Sequence, residues 1–314
     1  MHMHATPGNR RTQRILQFSL VATFAYVLLT ALAGIRANSL ALLSEAGHNL
    51  SDFFALGLSF LAVYLQSRPA NERKTYGYQR AGVLAAFVNA LALVVLSVWL
   101  AVEAFHRLAA PVAVQPRIMM VVAAAGVVMN GAIALLLSRM SHDLNLRSVF
   151  LHMLGDTLST AAVILGGAAI FFTGIEWIDP ALSLLISALI LWSSYGIVRE
   201  TANILLEGTP RGLSLAAMRE AMQQIPGVED VHDLHAWSLG SSTNAISCHI
   251  TIADIPPSAS NVILEEINCL LHKQFRIHHT TVQFELDGCE AAVHGCQLPG
   301  EEDAHPHSSH DHKH

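Results

Sequence analysis

Three stretches of this chain, residues 15–35, 81–102 and 118–138, contain no Asp, Glu, Lys or Arg. Each has the roughly 20 residues a helix needs to cross a hydrocarbon core about 30 Å thick. Residues 181–198 are also uncharged, near the short limit. Two more apolar runs, 39–66 and 148–174, enclose a few acidic and histidine residues. Only 13% of the chain is charged and 52% is hydrophobic, where soluble domains carry about 25% charged residues. A large soluble protein with several buried helices is therefore set aside. The spacing predicts an α-helical membrane protein with six transmembrane helices. The first run is too long for a signal-peptide core and is followed by no small-residue cleavage site.

The interrupted runs carry the chemistry. Each holds one copy of a short motif, His48-x-x-x-Asp52 and His152-x-x-x-Asp156. A spacing of four places both side chains on one helix face, one turn apart. A carboxylate at the centre of a membrane helix costs about 2.5–3.5 kcal/mol even on the lenient insertion scale, so intramembrane Asp and His are functional candidates by default. Two copies supply two imidazoles and two carboxylates, a donor set that suits tetrahedral Zn²⁺. Two Asp charges and one Zn²⁺ sum to neutrality; without metal, protons can take its place. The pattern points to a membrane transporter for a divalent metal. Glu45 shares the face of His48 and Asp52; its spacing fits a proton relay, a vestibule charge or a position at the outer water interface. Asn49 and Asn130 read as helix-packing hydrogen bonders, and Ser159 continues the His152–Asp156 face.

Charge sets the orientation. Arg10, Arg11 and Arg14 precede the first span. Arg68, Arg73, Lys74 and Arg80 lie between spans two and three, Arg139 and Arg147 between four and five, and Arg199 and Arg211 after the sixth. The opposite loops hold Arg36, Arg107 and Arg117. The positive-inside rule places both termini in the cytoplasm.

The expected organisation is an N-terminal cytoplasmic segment (1–13), a six-helix membrane domain (14–200), a soluble domain (201–290) and a His-rich tail (291–314). In the soluble part, Leu215, Met218, Met222 and Ile225 mark one helix face ended by Pro226-Gly227. Residues 228–238 and 245–252 read as strands, 261–275 as a helix and 280–286 as a third strand. The order αββαβ suggests a small α+β, ferredoxin-like open sandwich, with a core modest enough to want a partner subunit. His232, His249, His278, His279 and Glu285 are spread over these strands, though on spacing alone exposed strand histidines are more often inert. The four cysteines, Cys248, Cys269, Cys289 and Cys296, form no C-x-x-C, which fits a reducing compartment. In the tail, His294, His305, His307, His310, His312 and His314 lie among Gly, Pro and Ser, and His2 and His4 stand near the start. That composition favours weak, multi-site metal capture.

Several motifs together are specific. They are Ser44-Glu45-Ala46-Gly47-His48-Asn49-Leu50-Ser51-Asp52, Tyr76-Gly77-Tyr78-Gln79-Arg80, His152-Met153-Leu154-Gly155-Asp156, Leu205-Leu206-Glu207-Gly208, His232-Asp233-Leu234-His235-Ala236-Trp237 and Val282-Gln283-Phe284-Glu285. With them the chain resembles, over about residues 13–290, the zinc-type bacterial branch of the cation diffusion facilitator family. The resemblance implies a homodimer of the bacterial inner membrane that exports Zn²⁺ from the cytoplasm in exchange for protons, with Co²⁺ or Cd²⁺ as further cargo. It implies a transport site between spans two and five at His48, Asp52, His152 and Asp156. It also implies a regulatory metal site at a dimer interface, at His232, His249, His278 and Glu285, with Gln283 replacing a ligand found in some relatives. A basic–acidic interlock near the membrane surface falls on Arg80 and Glu207.

Four departures stand out. Many relatives carry Asp where Glu45 stands. Arg80-Ala81-Gly82 replaces the Arg-x-Glu of zinc-type relatives. Residues 71–80 contain no His or Asp, so a metal site found there in some relatives is not expected. The His-rich loop of many eukaryotic relatives is reduced to His142 and Asp143. Two rival readings follow from the metal-ligating residues. An intramembrane metalloprotease would need a motif such as His-Glu-x-x-His, which is missing. A metal-sensing membrane scaffold would bind metal without transporting it. No enzymatic activity and no nucleic-acid partner are expected.

Overall fold

The computed structural model describes the backbone of residues 7–138, 144–240 and 243–286. Side chains are described in those ranges except at 7–20, 56, 59, 63, 133–134, 136–138 and 144–153. The His-rich tail, His2, His4, His142, Asp143, Cys289 and Cys296 lie outside the described residues. Two compact units emerge, Met1–Ala202 and Asn203–His314.

The first unit is helical: α1 (Pro7–Ala37), α2 (Leu40–Gln66), α3 (Ala81–Ala109), α4 (Pro116–Ser138), α5 (Leu144–Thr173) and α6 (Ile178–Leu205). The first helix starts at Pro7, inside the segment 1–13 expected to precede it. Among the described residues, four helical stretches are long and apolar enough to cross a membrane: Leu40–Gln66, Ala81–Ala109, Leu154–Thr173 and Ile178–Leu205. Val21–Ala37 and Pro116–Ala132 are shorter apolar stretches. The outward faces carry exposed Leu32, Phe60, Val95, Val128, Leu165 and Phe172. Water would penalise so large an apolar surface, whereas lipid tails match it.

Inside this unit, small residues let helices approach. A Cβ at Gly126 of α4 would fall 2.0 Å from the Tyr26 hydroxyl of α1, and one at Gly47 of α2 would fall 2.4 Å from Leu96 of α3. The start of α2 is held from a distance. Asp179, in the first turn of α6, accepts hydrogen bonds from the Leu40 amide (2.7 Å), the Ala41 amide (3.3 Å) and the Ser39 hydroxyl (2.5 Å). Ser39 Oγ in turn accepts from the Leu42 amide at 3.2 Å. These contacts satisfy amide donors that every helix start leaves open, with a carboxylate at the positive end of the dipole. They fix the axial position of α2, and so the height at which His48 and Asp52 stand.

The second unit comprises α7 (Leu215–Gln223), β1 (Val228–Ser238), β2 (Asn244–Ile252), α8 (Pro257–Phe275) and β3 (Ile277–Glu285). The observed order is αββαβ. The mixed sheet runs β1-β2-β3, antiparallel between β1 and β2 and parallel between β2 and β3. The parallel pair needs a crossover, which α8 supplies. Ser214 caps α7 by accepting from the Ala217 amide at 3.2 Å, and Pro257 occupies the first turn of α8, where its missing N–H costs nothing. Both helices pack on one face of the sheet: Met218, Met222, Ile263, Ile267 and Leu271 meet Val231, Ile246, Cys248 and Ile250. Alternation then sends His249 to the other face.

Two irregularities break that alternation. In β1 the register shifts between His232 and His235, where Asp233 takes φ 47°. Asp tolerates this left-handed conformation better than most residues. In β3, Ile277 pairs with Asn244 and His279 with Ala245, so His278 is an extra, bulged residue.

Candidate metal centres

His48 and Asp52 stand one turn apart on α2, and Asp156 reaches them from α5. His48 Nε2 lies 3.1 Å from Asp156 Oδ1 and 3.6 Å from Asp52 Oδ2. One donor atom from each of the three lies within 4.8 Å of the others. Asp156 is 4% exposed, so its charge has little access to water. Two ionised carboxylates facing one imidazole in a low-dielectric setting repel each other strongly. A divalent cation, or protons, removes that cost. His152 lies in α5 one turn before Asp156; its side chain is outside the described residues.

Directly above this cluster is a second polar layer. Glu45 is fully buried and so does not face the outer water interface. Its Oε1 lies 2.5 Å from Thr160 Oγ1 and accepts from Asn49 Nδ2 at 3.3 Å; its Oε2 accepts from Ser159 Oγ at 3.3 Å. Asn49 Nδ2 also donates to the Glu45 carbonyl at 2.8 Å, so Asn49 orients its own helix partner rather than bridging helices. Ser159 touches Glu45, as does Thr160, which the sequence reading missed. Thr160 lies one turn beyond Asp156, and that spacing was its one local signal.

The second unit holds a separate cluster on the sheet face away from its helices. His232 and His249 are cross-strand partners, with rings 5.6 Å apart and inclined 78°. Glu285 bridges them, Oε2 to His232 Nε2 at 3.1 Å and Oε1 to His249 Nδ1 at 3.0 Å. Asp230 lies 3.2 Å from His232 Nδ1, and Asp233 3.7 Å from His249 Nε2. Gln283 Nε2 donates to Glu285 Oε1 at 2.8 Å. The structure does not bring His278 to this group. Seven residues from Glu285, it falls by alternation on the face of Thr280 and Val282 and lies beside α8, with its ring 5.3 Å from that of His272. Asp230 and Asp233 were not anticipated. Asp230 sits two residues from His232 and was findable from strand periodicity, whereas Asp233 reaches the site only through the bulge.

These features define a helical membrane protein with a carboxylate–imidazole cluster between two helices, followed by a second, α+β unit with its own cluster. The family model described as the cation efflux transmembrane domain matches residues 16–206, and that of the cation efflux protein cytoplasmic domain matches 210–287. The chain belongs to the cation efflux family, the cation diffusion facilitators, in its zinc-type branch. It is 35% identical to a cadmium, cobalt and zinc/H(+)-K(+) antiporter of Bacillus subtilis (strain 168), over 91% of this chain and 92% of that one. It is 36% identical to the zinc transporter ZitB of Escherichia coli (strain K12), over 99% of each. A solved structure described as the metal-bound C-terminal domain of the CzcD transporter from Cuprividus metallidurans is 34% identical. It covers 24% of this chain and 100% of that chain, with a TM-score of 0.22.

Proposed function

We propose that this chain is a secondary active exporter that moves Zn²⁺ out of the cytoplasm in exchange for protons, with Cd²⁺ and Co²⁺ as further cargo. The observation that carries this reading is the convergence of His48, Asp52 and Asp156 between α2 and α5 in a chain of the cation efflux family. His152 is assigned as the fourth ligand, which completes a tetrahedral set of two nitrogens and two oxygens. The protein works as a transporter rather than an enzyme. Metal needs neutral His and ionised Asp, so metal entry releases protons and low pH weakens binding. Zinc-driven proton release from proteoliposomes tests the whole scheme. Zinc flux without proton counter-flow would exclude antiport.

Six spans are proposed, since α1 and α4 are each long enough, at about 1.5 Å rise per residue, to cross a core of about 30 Å. Both termini then face the cytoplasm across a bacterial inner membrane, and the chain acts as a homodimer. The segment limits 1–13, 14–200, 201–290 and 291–314 belong to the same proposal. So do the ferredoxin-like class of the cytoplasmic domain and an interlock between Arg80 and Glu207. Exchanging those two charges should restore transport lost in either single reversal; a double variant as inactive as the singles would remove the interlock.

Glu45 is assigned to the proton path. The Thr160 hydroxyl has one proton but lies 2.5 Å from Glu45 Oε1 and 2.7 Å from the Asp156 carbonyl oxygen. One hydroxyl proton cannot serve both contacts. A proton on Glu45, donated to Thr160, satisfies both. Glu45→Gln keeps the shape and removes the exchangeable proton, so it should lower the protons moved per zinc in liposomes. An unchanged ratio would return Glu45 to a packing role.

His232, His249 and Glu285 are assigned to a regulatory Zn²⁺ site. Two imidazoles and a carboxylate suit this ion, and Asp230 and Asp233 sit where they orient the imidazoles, as outer partners of metal-bound histidines commonly do. Metal there favours one arrangement of the dimer over another. Changing His232, His249 and Glu285 to Ala together should shift the zinc concentration at which transport activates without abolishing it. Complete loss of transport, or an unshifted activation curve, would refute the regulatory role.

A further inference from the structure

The cytoplasmic unit carries a second histidine pair, on the helix side of the sheet, that the transport scheme does not use. His272 lies in the last turn of α8, and His278 is the bulged residue at the start of β3. Their rings are 5.3 Å apart and inclined 79°, close to the 5.6 Å and 78° of His232 and His249. With Zn–N bonds of about 2.0–2.1 Å, two imidazoles on one tetrahedral ion have ring centres roughly 5 Å apart. Cys269 precedes His272 by three residues and so shares its helix face. Cys269 is exposed and in no disulfide. With His272, Lys273, His278 and Thr280 it borders an open cavity of about 340 Å³.

We propose that Cys269, His272 and His278 form a further metal site in the cytoplasmic unit, selective for a thiophilic divalent ion such as Cd²⁺ or Zn²⁺. The clusters described above pair imidazole with carboxylate, whereas this one pairs imidazole with sulfur, and thiolate selects softer ions. Lys273 borders the same cavity and opposes a hard cation held by charge alone; a soft ion bonded to sulfur depends less on net charge. Three protein ligands beside an open cavity leave the fourth position to water, the arrangement of an exchanging site rather than a closed structural one. Such a site would take up metal from the cytoplasm on the face of the sheet opposite the regulatory cluster.

The test is a Cd²⁺ titration of the full-length protein in detergent, read by sulfur-to-cadmium charge-transfer absorption, to which the histidine tail contributes nothing. Cys289 and Cys296 are first changed to Ser. Cys248 is buried in the apolar core of the unit, out of reach of the added ion. The background protein should show the band and Cys269→Ser should lose it. The double change His272→Ala with His278→Ala should weaken the titration by at least about tenfold, the scale on which even outer partners act. As a second reading, Cd²⁺ should slow maleimide labelling of Cys269 in the background protein and not in the double-histidine variant. That comparison decides the matter should Cys269→Ser fail to fold. An undiminished band in Cys269→Ser overturns the site. Unchanged titration and protection in the double-histidine variant also overturn it, leaving a solitary thiol.

Discussion

Asp156→Ala, or Asp52→Ala, is expected to abolish zinc transport while leaving a folded membrane protein. Each change removes a carboxylate that lies 3.1 Å (Asp156) or 3.6 Å (Asp52) from His48 Nε2. The proposed site has four ligands, so a quarter of its bonds disappears along with half of its negative charge. Loss of a mere outer partner typically costs 10–100-fold in metal affinity, roughly, and loss of a ligand costs more. Folding responds in the opposite direction. A carboxylate in a membrane helix is unfavourable by about 2.5–3.5 kcal/mol on the insertion scale, so its removal should not destabilise the helices. Zinc uptake by proteoliposomes, with thermal unfolding of the same samples, separates the two effects. Transport at the wild-type rate in either variant would remove these residues from the path. Unfolding of both variants would make the cluster structural.

His48→Asp is expected to change which metal is carried rather than whether one is carried. The imidazole is the borderline-soft ligand of the three described and stands between two carboxylates. Replacing it with a third carboxylate shifts the donors towards oxygen, which suits harder ions such as Mn²⁺. The charge balance moves with it: three carboxylates around one divalent cation leave a net negative site that protons must neutralise. Vesicle uptake of Zn²⁺, Cd²⁺ and Mn²⁺ should show the wild-type preference for zinc falling by at least about tenfold relative to Mn²⁺, or roughly 1.4 kcal/mol. Identical preference in the two proteins would place His48 outside the coordination sphere.

Much of this architecture is written in local pattern. Long uncharged runs predict helices because hydrocarbon accepts no unsatisfied backbone, and α3 and α6 fall where such runs are. The pairing of His48 with Asp52 needs only the pitch of a helix. Polar alternation in β2 places His249 opposite the core with no knowledge of its neighbours.

Contacts between distant segments were not legible in that way. Asp179 holds the start of α2 from 139 residues away, and Thr160 meets Glu45 from 115; neither residue stands out in its own segment. Each side chain completes a hydrogen bond that the other segment leaves open, and only packing decides which residue is there to do it. The bulge in β1 had the largest consequence. Strict alternation would keep Asp233 away from His249, and a resemblance drawn residue by residue placed His278 with Glu285. One extra residue in β1 reverses which face the following side chain occupies, so Asp233 reaches His249, whereas His278, an odd seven residues from Glu285, falls on the opposite face by alternation alone and stands beside His272 on the helix side. Periodicity along the chain settled which residues share a face. The register between strands, and the depth at which α2 meets α5, settled which faces meet, because both are set by the packing of the whole unit.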